Sequence, residues 1–210
     1  MKTILFTASL LFAPLCLADA EREHLIYEAD CFVDTELRCP SPDGQSELVY
    51  RGSRHAERED ISVVNDMVII LKNGREIPLG ALFCAMPIYK ANIIRQPWSP
   101  DGKWLVFPSG RFYYCFYPVA ALHDNCFSSK NFRMLSVTQP FMHTFGERED
   151  GSLICEIRQT HFILEGGHWE ADGSFTFRAG LSGYLAPYSA SVSDEGVIYK
   201  REGDMVNHRP

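Results

Sequence analysis

The sequence predicts an all-β protein, and three observations carry that expectation. Turn dipeptides recur at Asp43-Gly44, Asn73-Gly74, Asp101-Gly102, Asp150-Gly151 and Asp172-Gly173, with Ser109-Gly110 and Glu195-Gly196 as weaker relatives. These residues accept the positive φ that tight hairpins require. Short stretches rich in β-branched and aromatic residues follow the turns: Leu48-Val49-Tyr50, Trp104-Leu105-Val106-Phe107, Phe112-Tyr113-Tyr114 and Phe175-Thr176-Phe177. They read as strands. Beyond the amino-terminal region no stretch of a dozen residues keeps a 3.6-residue apolar period, so helices should be few and short.

At the amino end, Lys2, an apolar run from Ile4 to Leu17 and the small-x-small site Ala18-Asp19-Ala20 form the three parts of a secretory signal, with cleavage after Ala20. The apolar run is about 14 residues, short of the roughly 20 that span a bilayer, and Pro14 interrupts it. No later segment is long enough, so no membrane insertion is expected after cleavage. Leu15 stands before Cys16, where a lipoprotein signal needs a small residue. Residues 21–210 are then a single domain in the periplasm, or alternatively secreted, and about 190 residues suffice to bury a core.

Export makes disulfides the default reading of the cysteines. Removing Cys16 with the signal leaves Cys31, Cys39, Cys84, Cys115, Cys126 and Cys155. Six cysteines allow 15 pairings. The short closures Cys115 with Cys126 and Cys31 with Cys39 are the favoured ones, and no C-x-x-C pair offers a metal site.

Along the chain, Met67 to Lys72 and Arg75 to Leu79 make a two-residue hairpin about Asn73-Gly74. Pro118 to Asp124 reads as one helical turn or two, and Val119–Asn131 and Gln139–Glu149 read as exposed loops. From Leu153 to Arg158 the alternation sets Leu153, Cys155 and Ile157 toward a core and Glu156 and Arg158 toward water; Phe175 and Phe177 alternate with Ser174, Thr176 and Arg178 in the same way.

One motif is distinctive. Trp98-Ser99-Pro100-Asp101-Gly102-Lys103-Trp104-Leu105-Val106-Phe107 resembles the W-S-P-D-G-K-x-L-x-F repeat of TolB-type β-propellers. Pro100 pre-sets φ, Asp101 caps the turn and Gly102 supplies positive φ. A second copy, Ser41-Pro42-Asp43-Gly44, lacks the tryptophan and reads as having extra residues before its strand. Trp169-Glu170-Ala171-Asp172-Gly173 and Glu149-Asp150-Gly151 keep only the turn. Asp43 and Asp101 are 58 positions apart, Asp101 and Asp172 are 71, whereas propeller repeats recur every 40 to 50. The expected fold is thus a small or degenerate propeller-like hairpin array, with a β-sandwich as the alternative. The resemblance gives Trp98, Asp101, Gly102, Trp104 and Phe107 a structural role.

No catalytic constellation is evident. The seven histidines show no H-E-x-x-H spacing; His161 and His168 flank Glu165-Gly166-Gly167 and could face each other across a hairpin. Gly180-Leu181-Ser182-Gly183 misses a nucleophile elbow by one residue. No cofactor or metal is expected. The formal charge of −7, unchanged by losing Lys2 and Asp19, disfavours nucleic acid and favours cationic partners. A binding protein is the expectation. At the level of class the chain resembles periplasmic immunity proteins against type VI secretion effectors and lysozyme inhibitors, which implies a protein partner such as a cationic cell-wall hydrolase. The loop residues expected to meet it are His123, Asp124, Asn125, Phe141, His143, Phe145 and Glu147. Alternatives are an exported hydrolase of a glycan or lactone and an envelope scaffold.

Overall fold

The computed structural model describes residues 32–57, 59–61, 63–79, 88–123, 127–181, 184–204 and 206–207. Among these residues the fold is all-β: four antiparallel sheets, short 3-10 turns and no α-helix. Strands β1 (Phe32–Pro40), β2 (Ser46–His55), β3 (Val63–Leu71) and β4 (Glu76–Pro78) form a meander, with β5 (Ile88–Tyr89) beside β3. The second sheet is β6 (Trp104–Ser109), β7 (Tyr113–Pro118) and β8 (Arg133–Leu135), extended at its β6 edge by a bridge from Trp98 to Leu105. Strands β9 (Thr138–Glu147) and β10 (Leu153–His161) pair only with each other. The fourth sheet is the meander β11 (Ile163–Trp169), β12 (Phe175–Leu181), β13 (Tyr184–Ser193) and β14 (Gly196–Arg201), with β15 (Val206–Asn207) against β13.

Three of these sheets stack face to face with the second in the middle. Successive strand residues point to opposite faces. In β6 and β7, Leu105, Phe107, Cys115 and Tyr117 pack with Leu48, Tyr50, Met67 and Ile69 of the first sheet. Their neighbours Trp104, Val106, Tyr114 and Phe116 pack with Phe175, Phe177 and Tyr188 of the fourth. A strand buried on both faces reads as a continuous apolar run, which is what W-L-V-F and Y-Y-C-F-Y are.

The two end sheets turn charge outward. On the first, Arg38 meets Glu36 at 2.8 Å and Glu47 at 2.7 Å, while Arg51 meets Glu36 at 3.0 Å and Glu76 at 3.2 Å. On the fourth, His168, Glu170 and Thr176 form one exposed cluster and Ser189, Lys200 and Glu202 another. Such exposed pairs stabilise by at most about 1 kcal/mol each. Their larger effect is to terminate the stack, because a further sheet would have to desolvate them. Among the described residues no ring closes.

One turn is built five times. Asp43, Asn73, Asp101, Asp150 and Asp172 each accept, through Oδ1, the backbone N–H two residues on, at 2.9–3.1 Å. The next glycine returns its N–H to the carbonyl of Ser41, Leu71, Ser99, Arg148 or Glu170. The two S-P-D-G copies agree further. Ser41 donates to Asp43 at 2.6 Å and accepts from Ser46 N–H at 3.0 Å; Ser99 donates to Asp101 at 2.7 Å and accepts from Trp104 N–H at 2.9 Å. The Ser41 copy therefore has no extra residues: β2 begins at Ser46, the counterpart of Trp104.

These bonds hold Asp43, Asp101, Asp150 and Asp172 below the usual carboxylate range, the serine hydroxyl first and the backbone N–H second. A folded-state value below the unfolded one stabilises above the unfolded pKa of about 3.9 and is lost as pH falls through the folded value. Melting temperature should thus fall on acidification below about pH 4, and Asp101→Asn should make that fall shallower. A melting temperature flat from pH 5 to pH 3 would contradict this.

Two tryptophans tie the stacked sheets together. Trp98, next to Ser99, donates its indole N–H to the Cys39 carbonyl at 2.8 Å, and Trp169, next to Glu170, donates to the Pro97 carbonyl at 3.2 Å. Cys39 and Pro97 both lie two residues before a turn serine, so the same tie is made twice, each sheet reaching back to the previous one. The Ser41 copy, with Pro40 in the tryptophan's place, belongs to the first described sheet and has none before it to reach.

The cysteine expectation changes. No disulfide is found among the described residues, and Cys39 is a buried free thiol. Phe32, the neighbour of Cys31, is seven residues up the same extended strand from Cys39, about 23 Å away; a disulfide needs Cα atoms within about 7 Å. Burial pushes the Cys39 thiol up to about 11, so it is protonated and inert at neutral pH. Cys115 is buried in the core between the first two sheets. Cys31, Cys84 and Cys126 lie outside the described residues, as does the side chain of Cys155.

Candidate functional site

The segment Gln139–Glu149, read from sequence as a loop, is mostly strand β9. A strand tolerates Pro140 where the missing N–H faces an unpaired edge, and β9 has such an edge among the described residues. With β10 it makes a two-stranded arm whose 10-residue strand is roughly 34 Å long. The arm is rooted in the core by Val137 and Phe162, where Phe162 N–H bonds the Val137 carbonyl at 2.9 Å, and it ends in the exposed Asp150 turn. Along it Pro140, Gly146, Glu147, Leu153, Glu156, Arg158 and Gln159 are exposed.

Register places the expected binding residues along this arm. His143 stands opposite Glu156, Met142 opposite Ile157 and Phe141 opposite Arg158. Between Ile154 and Cys155 the register shifts, leaving Phe145 as the extra residue of a bulge. Bulges bend a ribbon. The alternation read from sequence does not translate into burial here: Leu153 does not face a core but is 61% exposed. Glu147 sits at the tip, opposite Leu153.

His123 is elsewhere. It caps the 3-10 turn Val119–Leu122 and is exposed, well away in sequence and topology from β9. Asp124 and Asn125 lie outside the described residues.

A ring cluster at the arm's foot was not found by sequence reasoning. His161 ends β10, with the Phe112 and Tyr113 rings at 6.4 and 5.7 Å and the Ser136 hydroxyl at 2.8 Å from its Nδ1. Phe112 is 43% exposed because it occupies the turn before β7, although its sequence context reads as strand. The Leu164 N–H to Arg111 carbonyl bond, 2.8 Å, and the Ile163–Gly180 pairing bring Leu181 and Tyr184, both exposed, to the same end. Exposed aromatics gathered beside charge are typical of protein interfaces. The signal available in sequence was F-Y-Y directly after a Ser-Gly-Arg turn.

The arrangement offers little acid-base chemistry. Ser136 and Thr138 both approach the same His161 nitrogen, and no described carboxylate orients that ring from its other side as a nucleophilic triad requires. His161 and His168 do not face each other. Glu165-Gly166-Gly167 is a bulge within β11 and not a hairpin turn, and His168 points to Glu170 at 3.0 Å and Thr176 at 2.9 Å. Among the described residues no group of three metal-ligating side chains comes together. A depression of about 510 Å³ beside the Asp101 turn is lined by Lys103, Trp104, Pro118, Val192 and Asp194, residues that shape turns and edges.

The motif residues Trp98, Asp101, Gly102, Trp104 and Phe107 lie in the turn and the stacked core, away from the arm. Among the described residues, no helix is long and apolar enough to cross a membrane. Comparison with protein-family models, with curated proteins and with solved structures finds no match for this chain.

Proposed function

We propose that this is an exported binding protein that neutralises another protein by setting the β9–β10 arm into its active cleft, as an immunity protein would against a cell-wall-degrading type VI secretion effector. The observation that carries this reading is the arm: a long ribbon paired with no other strand among the described residues, held at its foot by a three-sheet stack. A rigid base lowers the ordering cost of inserting such a ribbon. The acidic charge of −7 suits a cationic hydrolase and would speed encounter. We read the stack itself as three blades of a propeller stopped short of closure: the arm's 24 residues account for much of the 71-residue spacing between Asp101 and Asp172.

The test is inhibition of the hydrolase encoded beside this gene. The chain from Glu21 onward should abolish its wall-digesting activity at one-to-one stoichiometry. Replacing Gln139–Thr160 by a short glycine-serine link, with Val137 and Phe162 kept, should weaken inhibition by roughly 100-fold or more, about 3 kcal/mol. Circular dichroism confirms that the trimmed chain folds. An active hydrolase under equimolar intact chain, or equal inhibition by the trimmed one, overturns the reading.

A further inference from the structure

The arm has a second use that does not depend on that reading. We propose that β10 pairs, edge to edge and antiparallel, with β10 of a second copy of this chain, giving a symmetric dimer with a continuous four-stranded sheet.

The outer edge of β10 pairs with no strand among the described residues. An open edge recruits another strand unless it is short, bulged, or carries proline or unmatched charge. β10 has nine residues and no proline or lysine, its charges Glu156 and Arg158 are of opposite sign, and the extra residue of the bulge lies on β9, which also has Pro140; β4 and β8 have three residues each. The edge strand β1 is as long, but its midpoint is Glu36, so a two-fold there would set two carboxylates face to face.

Symmetry then selects the register. A two-fold relating antiparallel strands in one sheet must centre on a residue or pair it with itself, and directly opposite residues share a face. Centring on Ile157 pairs Leu153 with His161 and overlaps the whole strand. It also sets Glu156 opposite Arg158 twice. Moving the centre to Glu156 or to Arg158 opposes like charges, which destabilises. Full overlap and charge complementarity therefore choose the same register. Glu156 and Arg158 are exposed and already joined at 2.8 Å within the strand, so both are on the face where they can exchange partners.

The ends match as well. Leu153, 61% exposed, would come opposite the second copy's His161, beside that copy's Phe112, 43% exposed, and Tyr113. Each dimer buries this apolar contact twice.

Light scattering after size exclusion, with no partner added, tests the proposal. The chain from Glu21 onward should run as a dimer at about 50 µM. Arg158→Glu and Glu156→Arg should each weaken the dimer at least 10-fold and shift it to monomer, and the double swap Glu156→Arg/Arg158→Glu should restore it. Circular dichroism of all three checks the fold, which these exposed arm residues should leave intact. A monomeric parent, or single and double swaps that behave alike, overturns the proposal without touching the inhibition assay.

Discussion

Replacing Trp98 by alanine should lower folding stability by about 3–5 kcal/mol, the range for emptying a buried tryptophan site. Trp98 is 6% exposed, bridges the first two sheets, and satisfies the buried carbonyl of Cys39. Trp98→Phe separates these contributions. It keeps most of the packing and loses the N–H, so about 1–3 kcal/mol should go, the cost of an orphaned buried acceptor. Trp169→Phe should lose a similar amount through Pro97, since the bond is the same tie one sheet further on. Urea denaturation measures all three. If Trp98→Phe is as stable as the parent, the indole N–H does not hold the sheets together.

Gly180→Ala should be nearly as damaging. An added Cβ would lie 1.9 Å from the Tyr184 carbonyl oxygen, and at Gly52 it would lie 1.9 Å from that of Val63. Backbone cannot yield as a side-chain tip does, so β12 and β13, or β2 and β3, must separate. The expected loss is about 3 kcal/mol or more, the upper end for overpacking. Gly146→Ala is the control: nothing lies within 4 Å of its added Cβ, and its stability should change by less than about 0.5 kcal/mol. Equal behaviour of Gly146→Ala and Gly180→Ala in denaturant would refute the close-approach argument.

Gly52, Gly110 and Gly180 show what the sequence held and what it hid. Each lies six residues after the residue whose carbonyl closes the preceding turn, Ser46, Trp104 or Ser174, so a repeat runs through S-E-L-V-Y-R-G, W-L-V-F-P-S-G and S-F-T-F-R-A-G. The aspartate-glycine turns were legible because their bonding is local, within five residues. Sheet order was not, since the tryptophan ties join residues 59 and 72 apart. The arm was misread for a related reason. Leu153 to Arg158 alternates like a half-buried strand, yet burial depends on whether another sheet arrives, and among the described residues none does. Cys31 and Cys39 looked like a short loop closure because spacing carries no information on whether the chain between is extended.

The middle sheet has consequences for how the chain reaches its native state. With Leu105, Phe107 and Tyr117 on one face and Val106, Tyr114 and Phe116 on the other, all fully buried, it has no stable solvated form of its own. Neither neighbour can detach without exposing an aromatic surface, so the three sheets are coupled into one cooperative transition. The amide protons of β6 and β7 should be the last to exchange with solvent, and folding should be slow, because non-local strands must assemble on both sides of this layer before it is stable.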